Sequence, residues 1–162
     1  MNVVSKSKIF YDFESLKPLL TIWKGSNNTI VFTNGCFDII HHGHVDSLQK
    51  SAALGTRLIV GLNSDQSVEL LKGENRPVFS EQARAEILAA FECVDAVIIF
   101  KEETPAEIIA KILPDVLVKG AEYKIHEIAG HDTVLSNGGK VEILDLVDGI
   151  STTDIIDRIK KL

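Results

Sequence analysis

Ile30-Val31-Phe32-Thr33-Asn34-Gly35-Cys36-Phe37-Asp38-Ile39-Ile40-His41-His42-Gly43-His44 decides how this chain folds. The first three residues are apolar and β-favouring, and the run breaks at Asn34-Gly35. After Gly43, Val45, Leu48 and Ala52 return at helical spacing. A strand, a glycine turn and a helix start therefore meet in one short stretch. In an open parallel sheet such a junction lies at the carboxyl end of a strand, where ligands bind. The free amides and positive dipole end of the helix start favour an anion, above all phosphate. His41 and His44 flank Gly43 there, and each imidazole can donate to a phosphate oxygen and, when protonated, add charge. Two other readings stand beside this one. The histidines could be satisfied or surface residues near a turn. They could also begin a zinc site, but His-x-x-His supplies two ligands, and no nearby cysteine pair or glutamate completes a tetrahedron.

Upstream, Phe13, Leu16, Leu20 and Trp23 predict a leading helix over 12–24, with Pro18 delaying or kinking it and Gly25 as a stop. Downstream, a helix is expected from 43 to 54, then a nearly continuous apolar strand from Arg57 to Leu62, as suits burial on both faces. Asn63-Ser64-Asp65 can cap a short helix. Lys72-Gly73-Glu74-Asn75-Arg76-Pro77 is a polar loop whose two cations either stay solvated or swing over the crevice to bind phosphates. From Ser80 a helix buries Ala83, Ile87, Leu88 and Phe91, and Arg84 is either a surface partner of Glu81 or a phosphate ligand reaching inward. Val94 to Phe100 reads as the third strand, and Thr104-Pro105-Ala106-Glu107 as a capping box with proline first in its helix. A fourth strand, Asp115 to Val118, ends at Lys119-Gly120, where Lys119 faces the same crevice as His41 or simply occupies a turn. A polar connection from Glu122 to Gly130 leads past surface histidines, His126 and His131, to a last strand from Val141 to Leu146. Ser151-x-x-Asp154 opens a final helix packed down by Ile155, Ile156 and Ile159. Strands alternate with helices throughout, which predicts a doubly wound α/β parallel sheet.

Composition sets the outer limits. At 162 residues the chain suits one domain, 1–162, with a leading segment and helix over 1–27. It is 45% hydrophobic and 25% charged, as soluble globular proteins are. A net charge of −6 argues against a nucleic-acid binder. Cys36 and Cys93 are too few and too far apart for a disulfide framework, and a reducing cytoplasm is the expected setting. No signal peptide and no membrane-spanning apolar run is expected, and the polar start from Met1 to Lys8 is expected to be loosely ordered.

His41-His42-Gly43-His44 matches the His-x-Gly-His signature of the nucleotidyltransferase superfamily, and Ile150-Ser151-Thr152-Thr153 matches its second signature. Phe32 to Asp38, Val60 to Asp65, Leu71-Lys72-Gly73, Arg76-Pro77-Val78 and Val116 to Gly120 resemble one branch more closely, the heptose 1-phosphate adenylyltransferases. The resemblance implies a Rossmann-like nucleotidyltransferase fold with strand order 3-2-1-4-5 and a catalytic core over 28–162. It implies transfer of AMP from ATP to D-glycero-D-manno-heptose 1-phosphate, with Mg²⁺ carried on the nucleotide and no dedicated metal residues. Catalytic donors would be His41, His44, Lys72 and Lys119. The nucleotide would rest on Thr33, Asn34, Gly35, Phe37, Gly43, Gly120, Ser151, Thr152 and Thr153. The sugar side would involve Asp38, Asp65, Arg76 and Arg84.

Two alternatives remain open at this stage. A glycerol-3-phosphate cytidylyltransferase shares the Gly-Ile-Ser-Thr-Thr run, but those enzymes carry an arginine where Leu146 stands, five residues before Ser151. A non-catalytic nucleotide-binding module could share the fold. Expected partners are the two substrates, without nucleic acid or membrane. The apolar leading helix could serve a homodimer, and a separate heptose kinase and phosphatase would act upstream.

Overall fold

Ile30–Gly35 (β2) runs parallel to two neighbours, Phe32 pairing with Ile59 on one side and Leu117 on the other. Those neighbours are Arg57–Asn63 (β3) and Val116–Gly120 (β5). Ala96–Phe100 (β4) and Lys140–Leu144 (β6) extend the sheet outward, and Ile9–Phe10 (β1) closes one edge. The order is β1-β4-β3-β2-β5-β6, every pair parallel. The five larger strands follow the expected 3-2-1-4-5 order; the addition is β1, whose two residues pair with Val97 and Ile98. The computed structural model describes residues 7–145, 147 and 149–162. Expectations placed on Met1 to Lys6 and on Leu146 lie outside those residues.

Side chains alternate across β2, which splits the core in two. Ile30 and Phe32 join Leu16, Leu20 and Trp23 of Phe13–Gly25 (α1), together with Ile109 and Ile112 of Ala106–Ile112 (α5) and Val134 of His131–Ser136 (α6). Val31 faces the other way, toward Leu48 of His42–Ala52 (α2) and Leu88 of Glu81–Ala89 (α4). Helices thus cover both faces, which is why the strands are apolar throughout. Phe32 crosses its neighbour at Gly61, where an added Cβ would stand 2.6 Å from the ring's Cζ.

Several local expectations shift. Pro18 neither delays nor breaks α1: Asp12 caps it, accepting from Ser15 N at 2.8 Å, and Pro18 is exposed. Solvent can therefore satisfy the carbonyl that its missing N–H frees. Asp65–Lys72 (α3) is capped by Ser64, and α5 begins after Pro105 without a side-chain cap, so no capping box forms there. In α4 the buried face is Arg84, Ala85, Leu88 and Ala89, while Ile87 is exposed. His131 is half-buried, its Nδ1 2.8 Å from the Ile128 carbonyl. Thr152–Lys160 (α7) buries no residue, and Ile159 is exposed rather than packed.

Candidate active site

The carboxyl ends of β2, β3 and β5 open onto a cleft of about 580 Å³, which the starts of α2 and α7 also line. Its floor is the turn after β2. Phe37 holds a left-handed backbone there (φ 45°), is 8% exposed, and sets its ring 5.3 Å from that of His44. His41 is the N-cap of α2 in extended conformation. Its backbone N–H donates a long hydrogen bond (3.4 Å) to His44 Nδ1, and the two rings stack at 3.8 Å. Accepting at Nδ1 makes neutral His44 carry its proton on Nε2. Burial, with His41 nearby, pushes the His44 pKa down to about 4. Burial, with His42 nearby, lowers that of His41. Both shifts favour the neutral imidazoles, which act as hydrogen-bond donors rather than as added charge. His41 Nδ1 and Asn34 Oδ1 are buried atoms without a hydrogen-bond partner. Polar atoms so placed are costly unless a ligand or water meets them.

The second signature adjoins the first. Thr152 Oγ1 donates to the Ile39 carbonyl at 3.5 Å, and a Cβ on Gly43 would meet Ile150 at 3.5 Å and His41 at 3.1 Å. The absence of a side chain at Gly43 lets the two helix starts close up. Ser151 caps α7: its Oγ accepts from Asp154 N at 3.1 Å and donates to Asp154 Oδ2 at 2.6 Å. Its hydroxyl proton is thus committed to the cap, which leaves Thr153 and the backbone amides as donors facing the cleft. Thr33, with its Oγ1 donating to the Val118 carbonyl at 3.3 Å, ties β2 to β5 at the base.

Lys119 and Gly120 reach the cleft from the end of β5. Lys119 Nζ lies 5.2 Å from the Tyr123 ring centre, and burial, partly offset by Glu122, lowers its pKa to about 8. Lys72 stands exposed at the end of α3 on the opposite wall. Arg76 lines the same wall but is engaged: its Nε donates to Asp38 Oδ2 at 2.6 Å. Asp38 is 1% exposed and also accepts from Val78 N (2.8 Å) and Phe79 N (3.0 Å). Burial pushes its carboxyl up, but those amides and Arg76 together hold it below its ordinary range. Asp38 is therefore an anchored post beneath the 76–79 loop, with its oxygens already occupied, rather than an open acid for the acceptor.

Asp65 and Arg84 are corrected more fully, for neither lines the cleft. Arg84 is fully buried and donates to the carbonyls of Phe79 (2.9 Å), Cys36 (2.6 Å) and Asn63 (2.8 Å) and to Asp65 Oδ1 (2.7 Å). With four of its five N–H donors committed to three segments, it reaches neither a substrate phosphate nor the surface. Glu81 instead accepts from Asp65 N at 2.8 Å. Sequence reasoning gave no site role to Glu103, Thr104, Tyr123 or Ile128, all of which line the cleft. For Tyr123 a signal was available in its position four residues after Lys119; for Glu103 there was none. Among the described residues no group of three or more His, Cys, Asp or Glu side chains could hold a metal ion, and no helix is long and apolar enough to cross a membrane.

Known proteins resemble this chain along most of its length. Bifunctional protein HldE of Syntrophotalea carbinolica is 54% identical over 90% of it, and that of Campylobacter jejuni subsp. doylei is 54% identical over 92%. The chain spans about 30% of the length of these relatives. The crystal structure of the lipopolysaccharide core biosynthesis protein from Thermoplasma volcanium superposes with a TM-score of 0.62 at 27% identity, covering 76% of this chain and all of that one. The cytidylyltransferase-like family profile matches residues 32–158, both signatures included. With the two helix starts meeting across one cleft, the chain belongs to the cytidylyltransferase-like family.

Proposed function

We propose that the chain is a sugar-phosphate adenylyltransferase that moves AMP from ATP onto D-glycero-D-manno-heptose 1-phosphate, giving ADP-heptose and pyrophosphate. The observation that carries this reading is the meeting of the α2 and α7 starts, with His41 and Lys119, in a single cleft. Motifs resembling the heptose branch, and similarity to a lipopolysaccharide core biosynthesis protein, support the choice of substrate.

The acceptor's phosphate oxygen is already a nucleophile and needs no general base. It attacks the α-phosphorus, the bond to the bridging oxygen breaks, and pyrophosphate leaves with the electron pair. Catalysis then rests on alignment and on donors aimed at the developing charge. His41, at the cap of α2, and neutral His44 with its Nε2 proton supply hydrogen bonds. Lys119 supplies charge from beneath, and exposed Lys72 can come over from the opposite wall. Thr33, Asn34, Gly35 and Phe37 shape the nucleotide's seat, with Gly120, Thr152 and Thr153 beside it. Magnesium would arrive with ATP as its counter-ion. A heptose kinase and phosphatase would prepare the acceptor, in the cytoplasm where ATP is made.

A panel of four nucleoside triphosphates against heptose 1-phosphate, glycerol 3-phosphate and other sugar phosphates, scored by pyrophosphate, tests this. Release should be greatest with ATP and heptose 1-phosphate and should require divalent metal. Equal release with CTP and glycerol 3-phosphate would overturn the substrate assignment. Nucleotide binding without release from any pair would identify a non-catalytic module.

A further inference from the structure

A cleft that gathers phosphates should avoid carboxylates, yet among the described residues four acidic ones line this one: Asp38, Glu103, Glu122 and Glu127. Three have evident duties. Asp38 is consumed by Arg76 and two backbone amides. Glu127 accepts from Lys124 N at 3.0 Å and closes the 3-10 turn after β5. Glu122 acts on Lys119, raising its proton affinity against the effect of burial. Glu103 and Glu122 both lack a hydrogen bond or ion pair among the described residues, but Glu122 faces a neighbouring cation, Lys119, whereas Glu103 has no charged partner of its own.

The loop that carries Glu103 is nevertheless held in place. Buried Asn63 donates from Nδ2 to Ser67 Oγ at 2.8 Å, and Ser67 Oγ donates to the Glu102 carbonyl at 3.3 Å. Ser64 N donates to the Phe100 carbonyl at 2.9 Å. These bonds pin the stretch following β4 to the end of β3, and Pro105 is buried just beyond. Glu103 and Thr104 thus project from an anchored loop into the half of the cleft reached from β3 and β4, the half that also holds Lys72 and Arg76. The second signature and Lys119 belong to the other half, across β2.

We propose that Glu103, assisted by Thr104, selects the acceptor by receiving hydrogen bonds from the hydroxyls of its polyol end while Lys72 attracts its phosphate. This rests on the reading above that the acceptor is a sugar phosphate. A carboxylate carried on an anchored loop accepts from two neighbouring hydroxyls at once and repels a phosphate placed there. It therefore orients an acceptor with hydroxyls at one end and charge at the other. It also disfavours a second nucleotide in the acceptor's place.

The test is steady-state kinetics of the wild type, Glu103→Ala, Glu103→Gln and Thr104→Val with heptose 1-phosphate and with mannose 1-phosphate, which lacks the seventh carbon and its hydroxyl. In Glu103→Ala the KM for heptose 1-phosphate should rise at least tenfold, with kcat changed less than threefold and KM for ATP unmoved. Preference for heptose over mannose should shrink to within about threefold. Glu103→Gln should fall between wild type and alanine, and Thr104→Val should give a smaller shift in the same sense. An unchanged heptose KM in Glu103→Ala would overturn the proposal alone. So would a parallel rise in KM for ATP or in the magnesium requirement, since the carboxylate would then serve the nucleotide. A wild type that releases no pyrophosphate with any sugar phosphate would overturn the functional reading itself.

Discussion

Lys119→Met should make the protein more stable and nearly inactive. The variant keeps the length and apolar stem of the side chain and removes its ammonium. Burial lowers the Lys119 pKa from 10.5 to about 8 in the folded chain. At about 1.36 kcal/mol for each tenfold change in proton affinity, holding the charged form there costs up to about 3 kcal/mol. Loss of the cation–π contact with Tyr123 removes about 0.5–1 kcal/mol, which leaves a net gain of about 2 kcal/mol. The sign fixes the pH window. Below pH 8 the lysine is protonated folded and unfolded, and the penalty is present in full. Between about 8 and 10.5 the unfolded chain binds more protons, so wild-type stability rises with pH and the advantage of the variant fades. Urea unfolding at pH 7, 9 and 10.5 measures this. Turnover should fall about 100- to 1000-fold, the effect of losing one well-placed donor. In the wild type, kcat/KM for ATP should decline above about pH 8, since that ratio follows ionisations of the free enzyme. If the variant is as destabilised as it is inactivated, Lys119 is packing and the reasoning fails.

The remaining expectations concern neighbouring groups. His41→Ala should lower turnover at least tenfold with an unchanged unfolding midpoint; near-normal pyrophosphate release would remove it from the machinery. Asp38→Asn should cost about 3 kcal/mol at pH 7, because it leaves Arg76 unpaired. Since the carboxyl is held below its ordinary range, the difference from wild type should fade as pH falls through the folded value, and a constant gap in acid urea melts would contradict this. Arg84→Lys should lose about 3 kcal/mol and most activity, because one ammonium, with three donors, cannot serve four acceptors spread over three segments. Full stability in urea would show that the guanidinium fork is dispensable.

Much of the fold was legible because burial leaves a mark on sequence. Strands covered on both faces become unbroken apolar runs, and β2, β3, β4 and β5 all show it. Edge pieces leave little mark. β1 is two residues held by pairing with β4, and α6 is six residues carrying one buried side chain, Val134. Neither is long enough for a period to emerge. The phase of α4 was misread for a different reason. An apolar-period reading assumes that the core face is apolar, whereas Arg84 lies at the centre of that face with its charge divided among four acceptors.

The site divides along the same line between local and distant causes. His41, Gly43, His44 and Ser151 were readable because short stretches of backbone define their roles as caps and helix starts. Asp38 and Arg84 were not, because their partners lie far along the chain: Arg76 for the first, Cys36 and Asn63 for the second. A charged residue beside a phosphate turn looks the same in sequence whether it meets the substrate or braces the residue that does. The hydrogen-bond count tells the two apart. Asp38 and Arg84 have their capacity filled by protein, which makes them supports. Asn34 Oδ1, buried in the cleft, has no protein partner, and the exposed Glu103 carboxylate on its rim has none either, which leaves both open to a ligand.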